Sequence, residues 1–171
     1  MNFSKTLFRF ILQVPIFFAI GSSLTGCASE RDLVRYSFGF DLRYDNQHAV
    51  ILDYWYGKSR ADWWIQASED TVKKGKPIYF EGVTEPMLPG GLLYVKWRDT
   101  DTKKVYEDTV DLSPRLPKNI EDHEIYLMIK GSQLYVYLVS PESRPTNMPS
   151  NGPHIYRSQI VTTIYPDQSK H

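Results

Sequence analysis

Alternation of apolar and polar residues dominates the chain from Tyr36 onward. In the stretch YSFGFDLRY, residues 36–44, every second side chain is large and apolar. A period of two places such side chains on one face of a β-strand. The segment AVILDYWYG follows after the turn-type letters DNQH, so the pattern predicts a hairpin between these two strands. The residues expected on one face of the second strand are Val50, Leu52, Tyr54 and Tyr56.

The most specific local pattern is EIYLMIKGSQLYVYLV, residues 124–139, in which two apolar runs flank Gly131-Ser132. Glycine at the first central position suits a two-residue type II′ turn, and such a turn fixes the strand register. The predicted pairs are Ile129 with Leu134, Leu127 with Val136, and Ile125 with Leu138. This aliphatic face is expected in the core. The opposite face carries Tyr126, Met128, Tyr135 and Tyr137, which suit either an ordinary sheet face or part of an interface.

Similar patterns predict the remaining strands. LLYVKWRDTDTKKVYEDTVDL predicts a third hairpin, KPIYFEG a short strand, and HIYRSQIVTTIYP a last strand. Helical spacing is absent except in RADWWIQASEDTVKKG, which is compatible with one short helix or turn. We therefore predict a mainly β fold, an antiparallel β-sandwich or open barrel of about seven or eight strands with at most one short helix.

Proline-rich segments are expected to form the loops. They are VTEPMLPGG at 83–91, SPRLPKN at 113–119 and SPESRPTNMPSNGPH at 140–154. The last is long for a connection inside a compact domain, and loops of that length are usually mobile or functional.

The first 27 residues have the pattern of a targeting segment. Lys5 and Arg9 open the chain, an apolar run of about 15 residues follows, and LTGC ends at Cys27, the sole cysteine. A membrane helix needs about 20 apolar residues, which makes an uncleaved anchor the weaker alternative. An ordinary free or buried cysteine is the other alternative.

LTGC resembles the lipobox of bacterial lipoproteins. The resemblance implies cleavage before Cys27, acylation of that residue, and retention at the outer membrane on its periplasmic face, because Ala28 follows the cysteine. It divides the chain into a signal peptide at 1–26, a lipidated cysteine with a short tether at 27–35, and a single β-rich domain at 36–171. The expected membrane contact is through the lipid.

The net charge and the positions of the histidine and acidic residues restrict the classes of function that we expect. Without Lys5 and Arg9 the chain has 18 basic and 20 acidic residues, so a nucleic-acid partner is not expected. The four histidines are scattered, and the acidic pair Glu107-Asp108 alternates across a strand, so its carboxylates point to opposite faces. We therefore predict no catalytic residues, no metal site and no cofactor, and we keep an enzyme as a third hypothesis.

Aromatic residues make up 14% of the chain and are concentrated in DYWYGKSRADWW. A core of large side chains explains this segment, and so does a binding platform, because Trp, Tyr and Arg dominate protein interfaces. Sugar stacking is a further alternative. The candidate partner-binding residues are Trp55, Arg60, Trp63, Trp64, Tyr126, Tyr135 and Tyr137.

The body of the chain resembles small bacterial lipoproteins in the words LDYWYG, LYVKWRD, VYEDTVDL, LPKNI and IKGSQLYVYL. Some lipoproteins of this layout are immunity proteins that neutralise periplasmic toxins delivered by type VI secretion. The lipobox, the lack of a catalytic constellation and the aromatic surfaces beside Pro-rich loops together predict a lipid-anchored, non-enzymatic binding protein with a protein partner. An immunity role is the most concrete version of this hypothesis. The alternative hypothesis is a structural or assembly component of the cell envelope.

Overall fold

A computed structural model describes residues 33–59 and 63–167, and within them the chain forms nine β-strands and little helix. Helix α1 spans Glu69–Lys73, and a 3-10 turn spans His154–Tyr156. The strands are β1 Val34–Asp41, β2 Ala49–Ser59, β3 Trp63–Gln66, β4 Phe80–Met87, β5 Leu92–Asp99, β6 Val105–Asp111, β7 Glu124–Lys130, β8 Gln133–Ser143 and β9 Gln159–Tyr165.

The strands form two sheets. The five-stranded sheet has the order β4-β1-β7-β8-β9, and the four-stranded sheet has the order β3-β2-β5-β6. Neighbouring strands are antiparallel except β1 and β7, which run parallel. The predicted mainly β fold with at most one short helix is confirmed, with nine strands rather than seven or eight.

Aromatic rings join the two sheets in the core. Phe38 of β1 stacks on Tyr56 of β2 with ring centroids 5.0 Å apart, and Phe40 meets Tyr54 edge-on at 5.3 Å. All four side chains are almost completely buried. Large rings at such distances bury much apolar surface per residue, so this seam makes a large contribution to the core.

The β7–β8 hairpin has the predicted register. Ile129 lies opposite Leu134, and the pairs continue through Leu127 with Val136 to Ile125 with Leu138. The aliphatic face is fully buried in the core, as expected. Gly131 has a φ of 58°, which the first position of a II′ turn requires.

The predicted β1–β2 hairpin is wrong, because the two strands belong to different sheets. The connection between them crosses from one sheet to the other, with positive φ at Asp45, Asn46 and His48. An irregularity between Ile51 and Asp53 then shifts the register of β2. The main core cluster therefore contains Ile51 with Tyr54 and Tyr56. Val50 is also buried, but outside that cluster, and Leu52 is half-buried, so the four residues predicted on one face do not share it.

The segment predicted as a loop at 83–91 is partly strand. β4 continues to Met87, and Pro86 fits there because β4 is the edge of its sheet and needs no partner for that nitrogen. Upstream, Ile78 makes an isolated bridge to Ile51 of the other sheet. Residues 78–80 therefore carry the chain between the two sheets.

Candidate functional site

The predicted partner-binding residues lie in separate places. Trp55 and Trp64 lie on the outer face of the four-stranded sheet, whereas the three tyrosines lie on the outer face of the five-stranded sheet. Trp63 is the first residue of β3, and the structure does not describe its side chain. Arg60 and Cys27 also lie outside the described residues.

The chain's own long loop closes the tyrosine face. Tyr156 contacts Tyr126 edge-on with ring centroids 5.0 Å apart, and the Asp45 carboxylate accepts a hydrogen bond from the His154 amide at 2.9 Å. Tyr126 is 2% exposed and Tyr137 is 5% exposed. Burial raises the pKa of Tyr137 to about 12. The structure thus favours the ordinary sheet face over an interface for these two residues.

Tyr135 is the half-exposed member of this group. Its ring stacks on Tyr137 at 6.2 Å, and the Lys130 ammonium lies 5.7 Å from its centroid. These contacts place Tyr135 at the rim of the covered face.

The outer face of the four-stranded sheet carries a second set of aromatic residues. Trp55 of β2 stacks on Tyr94 of β5, with ring centroids 6.2 Å apart and an interplanar angle of 22°. In the next row Trp64 and Leu92 lie on either side of Gly57. We call Trp55, Trp64, Leu92 and Tyr94 the aromatic face. Leu92 is 41% exposed, and the other three are half-exposed.

Strand alternation explains why these residues point outward. Tyr54 and Tyr56 face the core on either side of Trp55, and Leu93 and Val95 face the core on either side of Tyr94. The candidate list omitted Leu92 and Tyr94. The sequence of the third hairpin contains the pattern that indicates them, because Leu92 and Tyr94 alternate with Leu93, Val95 and Trp97.

Charged residues border the aromatic face. Across the sheet Asp53 lies opposite Lys96, which lies opposite Glu107. The Tyr94 hydroxyl donates to the Glu107 carboxylate at 3.2 Å, and the Lys96 ammonium lies 3.8 Å from the same carboxylate. Burial, with the negative charges of Glu107 and Asp53, raises the pKa of Tyr94 to about 12. The phenol therefore stays protonated and keeps its hydrogen bond to Glu107.

An open cleft of about 410 Å³ adjoins Trp64. Helix α1 forms its far wall with Val72 and Lys73, and Asp53 and Gln66 line the sheet side. Ser68 caps the helix by accepting a hydrogen bond from the Thr71 amide at 3.2 Å. The aromatic face thus continues into a depression whose walls carry both polar and apolar side chains.

The residues considered for catalysis do not converge in the described part of the chain. His48 pairs with Asp101 at 3.1 Å on the surface, and Glu107 and Asp108 point to opposite faces, as predicted. Asp108 instead accepts a hydrogen bond from the Tyr165 hydroxyl at 2.7 Å. Across residues 33–59 and 63–167, no three His, Cys, Asp or Glu side chains are grouped to hold a metal ion.

Comparison with protein-family profiles, curated proteins and solved structures finds no match to this chain. Among the helices of the described ranges, none has the length and apolar character needed to cross a membrane.

Proposed function

We propose that this protein is a lipid-anchored, non-enzymatic domain that binds a protein partner through the aromatic face. The observation that carries the proposal is the stacked Trp55–Tyr94 pair beside Trp64 and Leu92 on one sheet face. Trp and Tyr supply most of the energetic anchors of protein interfaces, and they are effective when they lie together and a partner can desolvate them.

The charges around the aromatic face favour a partner with basic side chains. The negative charges of Glu107 and Asp53 both raise the pKa of Tyr94. Lys96 lies between these two acidic residues on the neighbouring strand. A partner's Arg placed over the Trp55 ring would gain a cation–π contact on the sheet face that also carries the two carboxylates. We therefore expect the partner to present Arg or Lys within an otherwise apolar patch.

Anchoring and location belong to the same proposal. Acylation of Cys27 would hold the domain at the outer membrane, on its periplasmic face, and two or more acyl chains make such an attachment stable. Mass analysis of the bacterially produced chain tests this step: a chain that keeps residues 1–26 and a free thiol would contradict it.

The binding step is tested with the full chain as bait for periplasmic extracts. The captured protein is then purified, and its affinity is measured against the wild-type protein and single variants. Trp55→Ala and Tyr94→Ala should each weaken binding by about 1–2 kcal/mol, or about five- to thirtyfold. Tyr79→Ala is the matched control, because Tyr79 is 47% exposed and lies before β4, away from the aromatic face.

Equal affinity of all three variants would contradict the proposal, because the captured protein would then bind elsewhere. The identity of a partner that depends on the aromatic face separates the two predicted roles. A toxin would support the immunity role, and an envelope component would support the structural or assembly role.

A further inference from the structure

A second cleft, of about 310 Å³, lies at the end of the sandwich where β1 begins and β4 ends. Val34 of β1 lies opposite Met87 of β4, and the loop after Met87 forms one wall of the cleft. The loop after β6 forms another wall and reaches the start of β1, where the Asp122 amide donates to the Arg35 carbonyl at 2.8 Å. The cleft is lined by Lys58, Pro89, Gly90, Ser113, Leu116, Pro117 and Lys118.

Hydrogen bonds between the two loops hold the walls of this cleft together. The Gly91 amide donates to the Ser113 hydroxyl at 2.9 Å, and the Leu112 amide donates to the Gly91 carbonyl at 2.8 Å. Gly90 has a φ of 84°, and a Cβ added there would lie 3.1 Å from Ser113. A larger residue at position 90 would therefore be strained and crowded, so the close approach of the two loops depends on glycine.

The lining combines cationic and apolar groups. Lys58 and Lys118 are exposed, and among the described residues that line the cleft there is no carboxylate. Asp111, the nearest acidic residue along the β6 strand, already accepts a hydrogen bond from the Ser113 amide at 2.9 Å. Pro89, Leu116 and Pro117 supply apolar surface. Two ammonium groups beside apolar walls suit a ligand with a phosphate attached to an apolar body.

We infer that this cleft binds the phosphate-bearing headgroup of a membrane phospholipid and turns this end of the domain toward the bilayer. The inference rests on the proposed lipid anchor. From Cys27 to Leu33 the extended chain spans at most about 20 Å, at about 3.3 Å per residue, so the anchored end stays near the headgroups. Lys58 and Lys118 lie at that end and can reach them.

The inference is tested with the full chain, processed in bacteria and reconstituted in phosphatidylcholine–phosphatidylglycerol vesicles. A trace phospholipid with a photoreactive headgroup is activated, and its adducts are mapped by mass spectrometry. We expect adducts around Lys58 and 113–118 at about five times or more the level at the β5–β6 loop, residues 99–104, because each lysine near an anionic surface contributes about a fivefold preference.

The double variant Lys58→Glu/Lys118→Glu should reduce the adducts at the cleft by at least about fivefold. Lys103→Glu/Lys104→Glu is the matched control, since these exposed lysines lie at the opposite end of β5, and it should leave the adducts unchanged. Circular dichroism checks that both variants are folded.

The intact mass recorded in the same experiment separates the possible failures. A lipidated chain whose adducts lie elsewhere, or do not respond to Lys58→Glu/Lys118→Glu, overturns the inference and leaves partner binding by the aromatic face intact. A chain without lipid at Cys27 overturns both the anchor and the inference.

Discussion

Gln47 links the turn after β1 to the five-stranded sheet. It is 2% exposed, and its amide nitrogen donates to the carbonyls of Asp41 and Tyr44 at 3.0 and 3.2 Å. Its amide oxygen accepts the Ile129 amide at 2.7 Å. The pairing of β1 with β7 ends at Leu127. The Gln47 side chain is therefore the hydrogen-bond partner of the Ile129 amide, two residues beyond the last pair.

Gln47→Leu should lower the free energy of unfolding by about 2–4 kcal/mol, because buried backbone groups left without a partner cost about 1–3 kcal/mol each. Urea titration measures this change. Gln66→Leu is the control, since Gln66 is exposed on β3 and should alter stability by less than about 0.5 kcal/mol. Equal stability of Gln47→Leu and wild type would show that water satisfies these groups.

At the scale of elements, the sequence pattern correctly predicted the strand pairing that a short turn determines by itself. The two-residue turn fixed the whole β7–β8 register, because Gly131-Ser132 leaves one way to pair the flanking strands. The same alternation did not identify the partners of β1, which pairs with β7 in parallel and with the edge strand β4. Such pairings depend on tertiary packing, and neither the alternation nor the length of DNQH encodes them.

Gly131→Ala should destabilise the protein by about 1–2 kcal/mol, because its φ of 58° is unfavourable for a residue with a Cβ. The cost is purely conformational, since no atom lies within 4 Å of an added Cβ. Gly82→Ala is the matched control: its surroundings are equally open and its φ is not positive. It should be neutral or slightly stabilising. Thermal unfolding of both variants tests the prediction, and equal melting temperatures would contradict it.

At the scale of the whole molecule, the sequence located part of the candidate site. The outward direction of Trp55 follows from its position between two inward tyrosines of β2. The burial of Tyr126 and Tyr137 does not follow from β7 and β8, because the cover comes from the distant loop at 144–158. Alternation assigns a residue to a face of a sheet, and only tertiary packing decides which face another segment covers.

Gly152 holds the covering loop against the five-stranded sheet. Its φ is 80°, and a Cβ added there would lie 2.7 Å from Val161 and 3.2 Å from the Tyr137 ring. Gly152→Ala should therefore lift the loop and speed hydrogen exchange in β7 and β8, at a stability cost of about 1–3 kcal/mol. Gly75→Ala shares a positive φ of 60° but has no atom within 4 Å, so it separates backbone strain from loss of the contact. If both variants exchange alike, the loop does not protect Tyr126 and Tyr137. If only Gly152→Ala opens β7 and β8 while partner binding is retained, the aromatic face functions independently of the covered one.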